Sequence, residues 1–326
     1  MKVLFITKGR EDPAARYRMM PVLSHFQNLK IETSLCDELD GIAAKCRLLS
    51  QASDAQLLFV QRKLFAPWFT RALKRRCKNI VFDFDDAIFC RSNGGSSASR
   101  MRKFRGMLAS SSLVLAGNGY LATQCGDVDK VVVPTAVDEE PFNLDIEKEP
   151  GCTLVWIGSS STRKYLEQHR QILEEVGARL PNIILKVIAD FDFHLENMSV
   201  VNVAWSLESE ANQLVSAHIG IAPMTDNPWT RGKCALKVIQ YMAAGLPVIS
   251  SNSGANREVV VQDETGLLAD TFDDWLQAIE LLSGNESERK RLGSAGRRRM
   301  LQLYSSTTVL DSITEVLTSR KLISPA

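Results

Sequence analysis

Residues 228–260 read PWTRGKCALKVIQYMAAGLPVISSNSGANREVV, and this stretch decides the fold. Ala235, Val238, Ile239, Met242 and Ala243 recur at three- and four-residue spacing, the pattern of a helix with one buried face. Gly245 supplies a C-terminal stop, and Pro247 leads into a short apolar strand at 248–250. Ser253, Gly254, Ala255 and Asn256 then form a loop of small residues. Such a helix–stop–strand–loop succession belongs to a parallel α/β sheet. Lys233 and Lys237 stand four apart, on one side of the expected first turns, where two ammonium groups can neutralise a diphosphate. The alternative for this pair is a solvated helix face.

The same rhythm extends in both directions. Strands are expected at 153–157, 183–188, 200–203 and 219–222, with helices at 165–179, 208–216 and 234–244 and helical tails at 275–283 and 286–302. The first part of the chain repeats it, with strands at 3–6, 56–60, 80–84, 113–116 and 131–133 and helical stretches at 19–28, 68–77 and 100–109. Between the two lies VDEEPFNLDIEKEPG, residues 137–151, acidic, with two prolines and no apolar period, which reads as a linker. Two Rossmann-like halves joined by a linker place a ligand cleft at the carboxyl ends of their strands.

Bulk composition narrows the classes. The 326 residues suit two domains; 45% hydrophobic and 24% charged residues are ordinary for a globular chain. A net charge of +1 implies no nucleic-acid partner. Residues 1–130 are nonetheless basic, which points to an anionic partner on that half, such as a phospholipid surface or a phosphorylated acceptor. Seven scattered cysteines form no CxxC pair, against structural zinc and against a disulfide scaffold. The opening MKVLFITKGR is too soon charged for a signal peptide, and no apolar run reaches the ~20 residues of a membrane span. These readings place the chain in the cytoplasm, with peripheral contact at the inner membrane surface as an option. The segments LFAPWFTRALKRRCK (64–78) and RMRKFR (100–105) interleave cations with Trp68, Phe69 and Phe104 and suit that contact; the alternative is an ordinary solvated face.

Two further motifs carry chemistry. TLVWIGSSSTRKYL, residues 153–166, reads as a strand ending at Gly158, a small-residue loop and a helix starting near Thr162. Open N–H groups and the helix dipole there attract phosphate. Arg163 and Lys164 in the first turn oppose the dipole unless an anion sits above them. The alternative is a serine-capped helix with exposed cations. VFDFDDAIF, residues 81–89, brings Asp83, Asp85 and Asp86 to a strand end. It resembles the nucleophile motif of haloacid-dehalogenase phosphatases, with Ala87 where Thr or Val is usual. It also fits a metal-binding DxD pair or a strand–helix turn held by carboxylates. The four histidines show no metal spacing.

From residue 219 to 269 the chain resembles the donor-binding region of GT-B retaining glycosyltransferases of the large family-four type, the glycosyl transferases of group 1. The resemblance rests on GKCALKVIQYMAAGLPVISS (232–251) and EVVVQDETGLLAD (258–270), with WIGSSST and RKYL (156–166), MKVLFITKG (1–9) and VVVPTAVD (131–138) matching in type and position. It implies an α/β fold of GT-B type, two Rossmann-like domains facing a central cleft. Residues 1–140 are then the acceptor domain and 150–300 the donor domain, with 301–326 a terminal helix crossing back to the first. It implies transfer of a sugar from a nucleotide-sugar donor to a glycan, lipid-linked or protein acceptor, with retention and without metal or other cofactor. Gly158, Ser159, Thr162, Arg163, Lys164, Lys233, Lys237, Gln240 and Asn256 become the donor-binding candidates. Asp85 and Asp86 become the catalytic ones, at the place of a His-Asp pair, only one of them facing the cleft because neighbours in a strand point to opposite sides. Gly232 and Gln240 fall where relatives carry two glutamates, and Ser159 and Lys164 where they carry an Arg–Lys pair. A phosphatase using Asp83 and a non-catalytic nucleotide-binding protein are the alternatives.

Overall fold

The computed structural model describes residues 1–9, 14–148 and 151–324. The chain divides into two compact units: Met1–Ala136 with Asn227–Cys234 and Ser306–Ala326, and Val137–Asp226 with Ala235–Ser305.

The first unit carries a six-stranded sheet in the order β2-β1-β3-β4-β5-β6, every pairing parallel. Its elements are β1 (Lys2–Ile6), α1 (Met20–Asn28), β2 (Glu32–Cys36), α2 (Gly41–Asp54), β3 (Leu57–Gln61), α3 (Pro67–Arg76), β4 (Ile80–Phe84), α4 (Ala98–Ser110), β5 (Leu113–Ala116), α5 (Gly119–Thr123) and β6 (Lys130–Val132). The central strands are continuously apolar because both faces are covered. Val3, Phe5, Leu57, Phe59, Val81, Leu113 and Leu115 pack with Val22 and Phe26 of α1. Leu4, Ile6, Leu58, Val60, Phe82, Phe84 and Val114 pack on the other face with α2, α3 and α4.

The second unit repeats the plan with β7 (Cys152–Ile157), α6 (Arg163–Gln168), α7 (Arg170–Arg179), β8 (Ile183–Ala189), β9 (Ser199–Ala204), α8 (Glu210–Val215) and β10 (Ile219–Ala222). After the short α9 (Pro228–Arg231) it continues with α10 (Leu236–Ala243), β11 (Val248–Ser251), α11 (Asn256–Val259), β12 (Gly266–Ala269), α12 (Phe272–Gly284) and α13 (Glu286–Leu303). The sheet order is β12-β11-β10-β7-β8-β9, again all parallel.

Three local differences from the sequence reading have physical reasons. The expected helix 165–179 is two helices, α6 and α7, broken at His169, whose φ of −99° and ψ of 7° leave the helical region. The expected linker is packed on the second unit: Phe142 is buried in its core, and the Lys148 ammonium donates to the carbonyls of Val215 and Ala217 at 2.6 and 2.7 Å. Glu149 and Pro150 of that stretch lie outside the described residues. The third difference is Asn227–Cys234, which sequence order puts in the donor half and which packs in the first unit. The first unit is also joined by α14 (Ser306–Ser319), whose Val309, Ile313 and Leu317 enter the core beside α1. His25 Nε2 and Thr314 Oγ1 meet at 3.0 Å, and Arg320 is ion-paired with Asp129 at 2.7 Å.

In the second sheet Tyr241 of α10 fastens the ends of two neighbouring strands. Its hydroxyl accepts the Ile157 N–H at 3.0 Å and donates to the Ile221 carbonyl at 3.1 Å. Gly220 makes room for the ring: a Cβ there would lie 2.4 Å from Tyr241 Cγ. Gly220→Ala is expected to lower stability by about 1–3 kcal/mol through overpacking, read as a shift of the urea midpoint without a change of slope.

Candidate functional site

The first unit concentrates three carboxylates where β4 ends. Asp83 lies on the strand, on the α1 face, and meets Arg18 from the π-helical turn Ala15–Met19. Arg18 Nε lies 2.9 and 2.8 Å from the two carboxylate oxygens and Nη2 lies 2.7 Å from Oδ1, with both side chains under 5% exposed. Arg18 Nη1 also donates to the Val133 carbonyl at 2.9 Å. Burial pushes the Asp83 carboxyl up, and Arg18 pulls against it. The phosphatase reading is thereby corrected. A phosphoryl-accepting carboxylate needs an open oxygen, and both oxygens of Asp83 are buried against one guanidinium.

Asp85 and Asp86 follow the strand end. Arg62, just past β3, reaches both: its Nε is paired with Asp85 Oδ1, and its Nη2 lies 2.8 Å from Asp86 Oδ2. Lys233 Nζ lies 2.8 Å from Asp86 Oδ1. The expectation that the two aspartates point to opposite sides is not met, because the strand stops at Phe84 and alternation stops with it. Arg62 holds a φ of 53°, a left-handed conformation that a side chain adopts only under constraint. Burial would push the Asp85 carboxyl up, but Arg62, Arg18 and Lys233 outweigh it and hold it below the usual carboxylate range.

The same cluster holds Asn227–Cys234. The Asn118 amide donates to the carbonyls of Arg231 and Lys233 at 3.1 and 2.9 Å, and Cys234 Sγ donates to the Asp85 carbonyl at 3.3 Å. Gly232 is pressed so closely on Ala87 that a Cβ would lie 2.6 Å from the Ala87 nitrogen. Lys233 therefore precedes the helix rather than sharing its first turns with Lys237. α10 begins only at Leu236, after Ala235 turns through a φ of 55°.

In the second unit the remaining candidates gather near the end of β7 and on α10 and α11. Gly158 is required by packing, since a Cβ would lie 2.2 Å from the Trp156 ring. The loop N–H groups expected to stay open are taken internally. Ser159 N–H donates to Thr162 Oγ1 at 3.0 Å, Ser160 N–H to Asp190 at 2.6 Å, and the Thr162 and Arg163 N–H groups to the Ser159 carbonyl. Arg163 is paired with Glu167 at 3.1 Å and lies over the Phe191 ring, while Lys164 lies over Tyr165. Lys237 Nζ stands 4.2 Å above the Trp156 ring. The Gln240 amide donates to the buried Glu210 at 2.6 Å, which also accepts the Trp205 indole N–H at 2.6 Å. Asn256 is buried at the start of α11.

Sequence reading missed Arg18, Arg62, Asn118, Glu210 and Tyr241. The signal for Arg62 was present in QRK directly after the apolar run LLFV. Among the described residues no group of three or more His, Cys, Asp or Glu side chains is arranged to hold a metal ion. No helix among them is long and apolar enough to cross a membrane.

A depressed Asp85 pKa in the folded state stabilises the fold above the unfolded carboxyl value of about 3.9, and the gain is lost as pH falls through the folded value. Asp85→Asn should therefore cost about 1–3 kcal/mol at neutral pH. The gap to the unaltered protein should narrow below about pH 3.9. Urea unfolding across that range is the measurement; a gap independent of pH would place the charge of Asp85 outside the fold's energetics.

Residues 201–299 match the family model described as glycosyl transferases group 1. Over 83 residues the chain is 32% identical to the alpha-1,3/1,6-mannosyltransferase alg-2 of Neurospora crassa, a match covering 24% of this chain and 18% of that protein. Among solved structures it is similar to HepE (Alr3699) of Anabaena in complex with UDP and glucose, with TM-score 0.73 and 13% identity over 98% of this chain and 100% of that one. It is also similar to sucrose-phosphate synthase of Thermosynechococcus elongatus, with TM-score 0.78 and 13% identity over 98% of each chain. Strand orders, parallel pairing and these likenesses converge: the chain has the GT-B fold, and its residues 201–299 match the model of the glycosyl transferases of group 1.

Proposed function

We propose that the protein transfers a sugar from a nucleotide-sugar donor to a glycan, lipid-linked or protein acceptor, without metal. The observation that carries this is the strand order of the second sheet. Counted from β7 it runs 3-2-1-4-5-6, with its reversal between β7 and β10, where doubly wound sheets take nucleotides. The loop Gly158–Thr162 follows β7, and residues 201–299, matched by the family model, begin within β9 and include β10 and α10. The UDP and glucose named for the Anabaena structure support a uridine nucleotide as the first donor to try.

Gly158, Ser159, Thr162, Arg163, Lys164, Lys237, Gln240 and Asn256 are the donor-side candidates in this reading. Lys237 leads among the cations, because Lys233 is engaged by Asp86. Developing charge on a leaving diphosphate is stabilised by fixed cations and N–H donors. Asp85 and Asp86 act on the acceptor side. A carboxylate held below its usual range is a weak base, so Asp85 suits stabilising positive charge on the sugar better than taking a proton. Retention follows from likeness to the family and is read from the anomeric proton of the product.

Titration with UDP, GDP, ADP, TDP and CMP in EDTA tests the donor site; no binding by any of them sinks it. Lys237→Ala should weaken the favoured nucleoside diphosphate by at least about tenfold and the bare nucleoside little. Gly232 favours one second reading, a nucleotide-binding protein without turnover. The family resemblance implies a carboxylate at this position, and Ala87 leaves no room for a side chain. Tight nucleotide binding with no product across acceptors would establish it.

Peripheral contact with an anionic membrane is the finer proposal for the basic half. Trp68 is 63% exposed at the start of α3. Lys74 donates to the Lys78 carbonyl at 2.7 Å and Arg76 to Ser53 Oγ at 3.3 Å, and Arg71 and Arg75 are further exposed cations of that helix. The double change Arg71→Glu, Arg75→Glu should abolish low-salt sedimentation with anionic vesicles. Unchanged sedimentation would return α3 to a solvated face.

A further inference from the structure

The second sheet ends on β9 (SVVNVA), which pairs on one side, with β8. The Trp205 N–H donates to the Ala189 carbonyl at 3.1 Å. In a parallel ladder that sets Ala189 beside Ala204, this bond turns the backbone groups of 201, 203 and 205 toward β8. The N–H and carbonyl groups of Val200, Asn202 and Ala204 therefore point outward, and no strand among the described residues meets them. Edge strands are ordinarily blunted by charge, proline, shortness or burial. β2 carries Glu32, β6 is three residues long with Lys130, and β12 is largely buried. β9 has none of these devices. Its six residues include no charge, proline or glycine, and Val201 is 46% exposed, with Trp205 at 36% and Leu207 at 59% just beyond its end.

The sequence around this edge has charge of one sign. From Val187 to Thr230 there is no lysine or arginine, against six acidic residues. Of these, Asp190, Asp192, Glu196 and Glu208 are exposed. Glu196 precedes β9 by three residues and Glu208 follows it by four. Asp192 adjoins Phe193, whose backbone N–H and carbonyl are both bonded to the Asn202 side chain. The cation that approaches this region, Arg170, donates to the His194 carbonyl and is paired with Glu167 at 2.8 Å. A second copy of the chain suits the edge badly. The antiparallel register that sets Val200 against Ala204 also sets Glu196 against Glu208, and like charges directly opposite are destabilising. An extended chain with cations at its ends meets these acids favourably, while its backbone meets the open groups of β9.

We propose that the outer edge of β9 takes an extended, cation-flanked polypeptide segment of another protein as a seventh strand of the second sheet. Val200, Asn202 and Ala204 supply the backbone hydrogen bonds that hold the segment. Val201 and Val203 share one face of β9 and meet alternate side chains of the added strand. Asp192, Glu196 and Glu208 favour cations at its ends. The interaction is independent of sugar transfer, since none of these residues is a donor-binding or catalytic candidate.

Titration of the full chain with the synthetic peptide KTVTVTVTK, and with its acidic counterpart ETVTVTVTE, tests the edge, with hydrogen exchange followed at the amides of Val200, Asn202 and Ala204. The cationic peptide is expected to bind saturably, more weakly as salt rises, and to slow exchange at all three amides. The acidic peptide is expected not to bind. Ala204→Pro removes one outward N–H at a position where an edge strand tolerates proline, and Val201→Lys sets a cation on the edge. Each should weaken the cationic peptide by at least about tenfold, the worth of a lost hydrogen bond or an opposed charge. An unchanged urea midpoint in both variants shows that the fold is intact. Absence of saturable binding by KTVTVTVTK overturns the proposal, as does binding that leaves the three amides exchanging at their free rate. Equal binding of the two peptides overturns the selection of cations. Slow exchange in the free chain that quickens on dilution overturns the assignment to another protein, because a second copy then covers β9.

Discussion

Three carboxylates within four residues cannot be buried together as bare charges, and the first unit is organised around neutralising them. Isolated buried ions are expensive, and removing one partner of a buried pair typically costs about 3–5 kcal/mol. Asp83 draws Arg18 from the turn before α1, so the β1–α1 connection is tied to the middle of the sheet. Asp85 and Asp86 draw Arg62 from the end of β3 and impose its left-handed backbone. Asp86 also draws Lys233, and with it a segment distant in sequence. The segment arrives with complementary small residues: Gly232 against Ala87, and Gly117 against Cys234, where a Cβ would lie 2.4 Å from the sulfur. Charge compensation and close backbone approach thus specify the same docking.

This explains why the motif around residues 81–86 was ambiguous as a string. Paired aspartates after an apolar strand are equally the start of a phosphatase motif, a metal site or a turn, and what separates these readings is the identity of the cations that meet them. Those cations are 65, 23 and 147 residues away in sequence from the aspartates they meet. By contrast, β4 and β5 were legible to the residue, at 80–84 and 113–116, because buried parallel strands are short unbroken apolar runs. β2 (ETSLC) was missed because it is an edge strand, largely polar and only partly buried. The start of α10 was placed too early because Ala235, an apolar residue at the right helical spacing, is outside the helix in a left-handed conformation that propensity does not anticipate.

In the second unit the small residues of the candidate loop have a packing reason that the sequence did not show. Gly158 reads as an opening for phosphate, yet its lack of a side chain is already demanded by the Trp156 ring. That ring lies under Lys237 and beside Phe191, which in turn lies under Arg163. Two of the candidate donor cations are therefore stacked on an aromatic pair, which restricts their freedom before any anion arrives. Gln240 is likewise fixed by Glu210. Small residues in the loop and cations in the first turns were visible in the sequence; the aromatic floor that positions the cations was not.

The membership of the first unit has a consequence for how the chain is made. Its sheet is finished by residue 132, but its core is closed by Val309, Ile313 and Leu317, and its carboxylate cluster by Lys233. On the ribosome the N-terminal sheet therefore emerges with one face only partly covered and one carboxylate charge uncompensated, and waits while nearly the whole of the second unit is synthesised. The second unit, drawn from residues 137–226 and 235–305, has all of its strands before the covering helix of the first appears. At about 5–20 residues per second the delay lasts many seconds, long enough for an exposed apolar face to need shielding. The half that begins first in synthesis is the half that is completed last.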